Sequence, residues 1–113
     1  MRTEYINSLP EDWLPTALVF SALGDTTRQQ ILLLFEPGEE LSIKAISSMF
    51  PLGRSTIVHH LSVLEEANIL SVRRQGRQAL YSIRYDTVLM SLERLRLFIE
   101  SDLKILLDHE KAK

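Results

Sequence analysis

Apolar residues recur at three- and four-residue steps through most of this chain, and give way to a two-residue alternation in one stretch. Trp13, Leu14, Ala17, Leu18, Phe20 and Leu23 form the first helical set. The helix starts near Glu11, after an arm over residues 1–10 with little periodicity, and Pro15 fits only near its start because proline offers no N–H. Gly24 ends it. Asp25 or Thr26 caps a second helix whose apolar residues Ile31, Leu32, Leu34 and Phe35 place it at the centre of the core.

The Pro37-Gly38 pair marks a turn, and Ser42 caps a short helix carrying Ile43, Ile46 and Met49. Phe50-Pro51-Leu52-Gly53 breaks that helix, since the residue before a proline is pushed out of helical geometry. A longer helix runs from Arg54 to about Asn68, with Ile57, Leu61, Leu64 and the adjoining Ile69 at core spacing. Its other face carries Arg54, Ser55, Val58, His59 and Ser62, which are free of acids. The run SVRRQGRQALYSIR reads as two β-strands around Gln75-Gly76-Arg77. A last helix from about Thr87 to Glu110 sets Leu92, Leu95, Ile99, Leu103 and Leu106 in one stripe. Val88, Leu89, Leu97, Phe98, Ile105 and Leu107 widen it enough to require a second burial surface.

This order predicts a mainly α fold with a β-hairpin wing. A short helix, a tight turn and a longer helix with a polar outer face make a helix-turn-helix, in which the second helix enters the major groove of DNA. Residues 1–113 read as a single domain, with 1–10 as an arm and 86–110 as the last helix.

Charge sharpens this picture. The net charge of −2 opposes a nucleic-acid role only until it is divided along the chain. Residues 1–53 hold three basic and seven acidic residues, whereas residues 54–84 hold five basic and two acidic. Phosphate attraction decays over about 8 Å at physiological salt, so a local basic patch suffices. The absence of cysteine removes disulfides and thiolate metal sites. The chain starts without a signal peptide, and no apolar run approaches the roughly 20 residues that span a bilayer, so a cytoplasmic protein without membrane association is expected. There is no nucleophile–base–acid set, phosphate loop or metal cluster, so neither an enzyme nor a cofactor is expected.

Three segments together resemble the ArsR/SmtB family of winged helix-turn-helix regulators, over nearly the whole chain. They are Leu23-Gly24-Asp25-Thr26-Thr27-Arg28 with Ile31-Leu32, then Ser55-Thr56-Ile57-Val58-His59-His60-Leu61 with Leu64-Glu65-Glu66-Ala67-Asn68-Ile69-Leu70, and Arg73-Arg74-Gln75-Gly76-Arg77 with Tyr81-Ser82-Ile83. The resemblance implies a repressor that binds a double-stranded DNA operator as a homodimer, paired through its first and last helices, with 86–110 as the dimerisation helix. The chain departs from the family pattern at Pro51-Leu52-Gly53, where Gly-Leu-Ser is usual, so a glycine stands at the cap. The family's Cys-Val-Cys metal segment aligns with Ser42-Ile43-Lys44, where hydroxyl and ammonium replace both thiolates. The family's second metal site, on the last helix, has only His109 among Asp102, Asp108 and Glu110 here. No metal site is therefore expected, and the effector is either not a thiolate-bound metal or absent.

On this reading Arg54, Ser55, Thr56, Val58, His59 and Ser62 recognise DNA, with Val58 available to a thymine methyl. Arg73, Arg74 and Arg77, with no neighbouring acid in sequence, contact phosphate or the minor groove. Arg84 is set apart as a partner for Asp86 or Glu93. His60 is a packing histidine beneath the helix. Trp13, Leu92, Leu95, Ile99, Leu103 and Leu106 form the dimer interface. The competing reading is a winged-helix protein-interaction module that no longer binds DNA, supported by the acidic total charge and the altered turn.

Overall fold

One apolar cluster organises the computed structural model, which describes residues 1–112. A 3-10 turn at Glu11–Trp13 leads into α1 (Leu14–Leu23), with Pro15 in the first turn where no backbone N–H is needed. Asp25 caps α2 (Thr26–Leu34), its carboxylate accepting the Arg28 backbone N–H at 3.0 Å. Next come β1 (Leu41–Ser42), α3 (Ile43–Ser48) and α4 (Arg54–Glu66). The chain then forms β2 (Leu70–Gln75), β3 (Gln78–Ile83) and the long α5 (Tyr85–Lys111).

The core takes Val19 and Ala22 from α1, Ile31 from α2, Phe35 just after it, and Ile46 from α3. Ile57, Leu61 and Leu64 of α4 close it from the other side, and Ile69, Leu70 and Tyr81 supply the floor. The α2 helix contributes less than its composition predicts: Leu32 and Leu34 are half-buried and Leu33 is exposed. Met49 is also exposed, because α3 ends at Ser48 and Met49 is only its C-cap.

The sheet is antiparallel in the order β1-β3-β2, with Leu41 opposite Tyr81 and Ser42 opposite Leu80. β1 is missing from the sequence reading because two residues carry no alternation. Ser42 both ends this strand and caps α3, its Oγ accepting the Ala45 N–H at 3.1 Å. The hairpin turn is Gly76-Arg77, flanked by the pair Gln75 and Gln78. Gly76 lies at φ +61°, the left-handed region that a two-residue hairpin turn demands of its first central residue.

The α4 helix stops at Glu66, two residues short of the sequence expectation. Asn68 adopts φ +60°, so the Ile69 N–H reaches back to Leu64 O at 3.0 Å and the Asn68 N–H to Glu65 O at 2.9 Å. This is a Schellman ending, with Ile69 packing over Leu64 as the accompanying apolar contact. It turns the chain sharply from the helix into β2 and gives Ile69 its buried place outside the helix.

The α5 helix departs furthest from a monomeric design. Its 27 residues span about 40 Å at 1.5 Å per residue, within a molecule 64 Å long. Ser91 is its one buried residue, and Leu92, Leu95, Ile99, Leu103 and Leu106 are all exposed. No helix among the described residues is long and apolar enough to cross a membrane.

The αL position yields a stability prediction. Asn68→Ala should lower the urea-derived unfolding free energy by about 1 kcal/mol, because alanine disfavours αL, while Asn68→Gly should leave it equal or higher. Equal effects of the two substitutions would show that Asn68 acts through its side chain instead.

Candidate nucleic-acid interface

The α4 helix has two sharply different faces. Ile57, Leu61 and Leu64 are fully buried at 0 % exposure, which fixes the rotation of the helix about its axis. That rotation turns Arg54, Ser55, Thr56, Val58, His59 and Ser62 outward, and all six are exposed. Gly53 occupies the cap position and no side chain caps the helix, so the first-turn amides face outward with the positive end of the helix dipole. The result is an acid-free ridge of hydroxyls, one imidazole, one guanidinium and one valine. Glu65 and Glu66 lie at the far end of the helix.

His60 sits inward of this ridge, half-buried, and its Nδ1 lies 3.2 Å from Arg28 Nη1. A guanidinium can only donate, so in this bond the imidazole nitrogen is the acceptor. The same Arg28 donates through Nε to Ala22 O at 2.6 Å and through Nη2 to Ser21 O at 3.3 Å. Gln29 Nε2 adds a bond to Leu23 O at 2.6 Å. The last carbonyls of α1 are thus capped by side chains of α2, and one of those side chains also holds the recognition helix. His59 and His60 have ring centroids 5.9 Å apart and point apart, consistent with separate roles.

The three wing arginines do not act as one group. Strand alternation sends Leu70, Val72 and Arg74 to the core side of the ribbon and Ser71, Arg73 and Gln75 to the opposite side. Arg77 stands at the turn. Arg73 is not free: its Nε and Nη2 donate to Glu40 Oε2 and Oε1 at 2.5 and 2.8 Å, and Nη2 also reaches Gln75 Oε1 at 3.3 Å. No acid neighbours Arg73 in sequence, but the fold brings Glu40 to it from 33 residues away. Arg74 and Arg77 form no ion pair among the described residues. Tyr81 lies between Arg74 and Glu65, and burial, followed by the Glu65 charge, pushes its phenol above the usual value. Arg84 does not pair with Glu93, which is held by Arg96; the Arg84 backbone N–H donates to Ile69 O at 2.8 Å.

At the opposite side of the molecule Trp13 packs edge-on against Phe98 of α5, with centroids 5.8 Å apart, and Arg94 stacks over the indole. Arg94 also pairs with Asp12, and Arg2 grips Asp102 with both terminal nitrogens at 2.8 and 3.1 Å. Of the positions that align with the family's metal sites, Ser42 is occupied as a helix cap and Asp102 as an ion-pair partner. No group of three His, Cys, Asp or Glu side chains converges among the described residues.

Two features missed in the sequence have their signals elsewhere. The Arg28 link to His60 joins two helices, and the Glu40 link to Arg73 depends on β1, so neither follows from local spacing.

The comparisons with known proteins follow this geometry. Residues 25–72, from the α2 cap to the start of β2, match the family model described as "Bacterial regulatory protein, arsR family". The "Transcriptional repressor SdpR" of Bacillus subtilis (strain 168) is 35% identical over 65 residues, covering 58% of this chain and 71% of that protein. The crystal structure of NolR from Sinorhizobium fredii superposes with a TM-score of 0.61 at 30% identity, covering 78% of this chain and 87% of that one. The structure of an "ArsR-like Transcriptional Regulator from Rhodococcus sp. RHA1" reaches a TM-score of 0.77 at 24% identity, covering 92% and 98%. That likeness runs through the full helix order and the wing.

Two predictions come from these contacts. Arg28→Met should lower stability by about 2 kcal/mol in urea titration, since it removes three charge-assisted donors at once. A loss indistinguishable from zero would show that the α1 carbonyls are satisfied by water instead. Second, the backbone N–H of Arg28 holds the Asp25 carboxyl low, the Arg73 bond holds Glu40 low and the Arg2 bond holds Asp102 low. A depressed folded value stabilises above the ordinary carboxylate range and is lost as pH falls through the depressed value. Thermal stability should thus hold from neutral pH down to that range and decline below it, more weakly in high salt; no decline across the acid range would show that these carboxylates contribute nothing to stability.

Proposed function

Since this chain belongs to the arsR family of bacterial regulatory proteins, we propose that it represses transcription as a homodimer bound across a pseudo-palindromic operator. The observation that carries this reading is the acid-free outer face of α4, held at fixed rotation by three fully buried residues. Arg54, Ser55, Thr56, Val58, His59 and Ser62 enter the major groove, where hydroxyls and imidazole donate or accept at base edges and Val58 meets a thymine methyl. Arg74 and Arg77 supply phosphate or minor-groove contacts from the wing. Residues 1–113 act as one DNA-binding domain in the cytoplasm, and the chain is a regulator, not an enzyme.

Pairing is proposed through α1 and residues 86–110. The exposed stripe Leu92, Leu95, Ile99, Leu103 and Leu106 is the surface that most needs covering, with Trp13 and Phe98 at its edge. A depression of about 790 Å³ beside Trp13, Leu97 and Phe98 gives a partner side chain a seat. A second copy would place two recognition helices for half-sites about one DNA turn apart. The effector is not a thiolate-bound metal, because Ser42 and Lys44 stand at the positions aligned with the family's thiolate ligands and Ser42 is used as a cap.

Binding to the DNA upstream of its own gene, measured by fluorescence anisotropy across a salt series, tests the DNA reading. Wild type should bind saturably, and Arg77→Gln should reduce the slope of log affinity against log salt by about 1.8, the share of two neutralised phosphates, one for each copy of the homodimer. No preference over random DNA at low salt, with indifference to changes at Arg54, Arg74 and Arg77, would favour the protein-interaction module instead. Pairing is tested separately. Ile99→Glu should convert a sedimenting dimer into a monomer and weaken operator binding with it; a wild-type monomer at micromolar concentration would overturn the homodimer.

A further inference from the structure

The pairing of Arg73 is the one feature of the candidate interface that its proposed role leaves unexplained. Register places Arg73 opposite Leu80, and Leu80 opposite Ser42, so these side chains share the outer face of the sheet. Glu40 lies two residues before Ser42 and belongs to that same face. The Arg73 side chain therefore crosses the middle strand β3 diagonally and closes a two-point bond with a carboxylate on the far side. Its fork, which would match a phosphate, is filled by that carboxylate.

Glu40 is also presented from a fixed backbone. The preceding turn has Gly38 at φ +77°, is closed by the Glu39 N–H to Glu36 O bond at 3.0 Å, and is braced by the Glu36 N–H on Glu39 Oε1 at 3.1 Å. By contrast, β1 ties the hairpin to the helices through only two residue pairs. Leu70 and Tyr81 seat the base of the hairpin in the core, and the Glu40–Arg73 bond adds a restraint on the opposite face, across the hairpin beside β1. Arg74, on the opposite face of the ribbon, and Arg77, at its tip, remain the unpaired cations.

We propose that Glu40 is a positioning residue for operator recognition: with Arg73 it forms a strap across β3 that sets the pose of the wing. Arg73 then acts through the wing and touches no phosphate. This rests on the reading of α4 and the wing as the DNA-binding surface. The mutual effects on ionisation agree with a closed pair, the Arg73 hydrogen bond holding the Glu40 carboxyl low and Glu40 holding the guanidinium high.

The test compares Glu40→Ala, Arg73→Ala, the double variant and the charge swap E40R/R73E, with Arg77→Gln as a phosphate-contact reference. Affinity for the upstream fragment is read from 50 to 200 mM salt. Both alanine variants should weaken binding by the same factor, and the double variant should be no weaker than either. Neither should change the salt slope, whereas Arg77→Gln, which removes one contact from each copy, should flatten it enough to lose about tenfold of the wild-type change over that range. The swap should recover most of the affinity. Hydrogen exchange of the free protein gives a readout without DNA: β2 and β3 amides should exchange faster in Glu40→Ala. A flattened slope for Arg73→Ala together with tighter binding by Glu40→Ala would overturn the strap and make Arg73 a phosphate contact that Glu40 competes for, with the DNA reading intact. Unchanged wing exchange in Glu40→Ala would overturn it too. A wild-type protein that prefers no fragment would remove the DNA reading and this role with it, and would be recognised by the failure of the reference variant to differ.

Discussion

The side chain of Arg28 is the interaction on which the geometry of this protein depends. α1 and α2 meet in a corner of two residues, Gly24 and Asp25, too short to satisfy the last carbonyls of α1 by backbone alone. Arg28 and Gln29 satisfy them from the next helix, and Arg28 extends the same guanidinium to His60. One planar group thus links the end of the first helix, the start of the second and the inner side of the recognition helix. The pose of α4 is set by apolar packing in rotation and by this polar link against the α1–α2 corner. In that link the guanidinium donates and the imidazole nitrogen accepts, so directional hydrogen bonding supplements packing in holding α4.

Electrostatics in this chain is a matter of placement. An acidic protein can present a cationic surface because its acids lie away from that surface or are engaged elsewhere: Asp25 caps a helix, Glu40 holds Arg73 and Asp12 holds Arg94. What is left outward over residues 54–62 of α4 and at the wing turn is positive or neutral. Exposed pairs of this kind contribute little to stability singly. Their effect lies in deciding which cations stay available, and the period of a β-strand makes the same decision again by sending Arg73 and Arg74 to opposite faces.

Much of this was legible from the chain itself. The buried triad Ile57, Leu61 and Leu64 announces the face of α4 by spacing alone, and Gly76 announces the hairpin turn. The expected cap role of Ser42 also holds, since its signal is local. β1 was invisible, because a strand of two residues is defined by what it pairs with. The end of α4 was misplaced because asparagine at an αL position looks like any polar helix residue until the chain beyond it is seen to turn. The bond between Glu40 and Arg73 was invisible too, since their meeting depends on the order β1-β3-β2, which no local pattern encodes. The exposure of α5 was legible only as excess: the apolar stripe was too wide for one seam, and the fold indeed leaves it uncovered.

That uncovered helix gives a newly made chain a limited time. Unpaired, it carries a long apolar ridge, the kind of surface that chaperones hold and proteases reach through transient opening. Pairing would protect the chain by mass action, and protection would grow with abundance. On the proposed pairing, such a regulator would couple its own lifetime to its copy number: sparse chains would be cleared, and plentiful ones would persist. The switch it operates would then respond to dose with a threshold, set as much by turnover of the unpaired chain as by its grip on DNA.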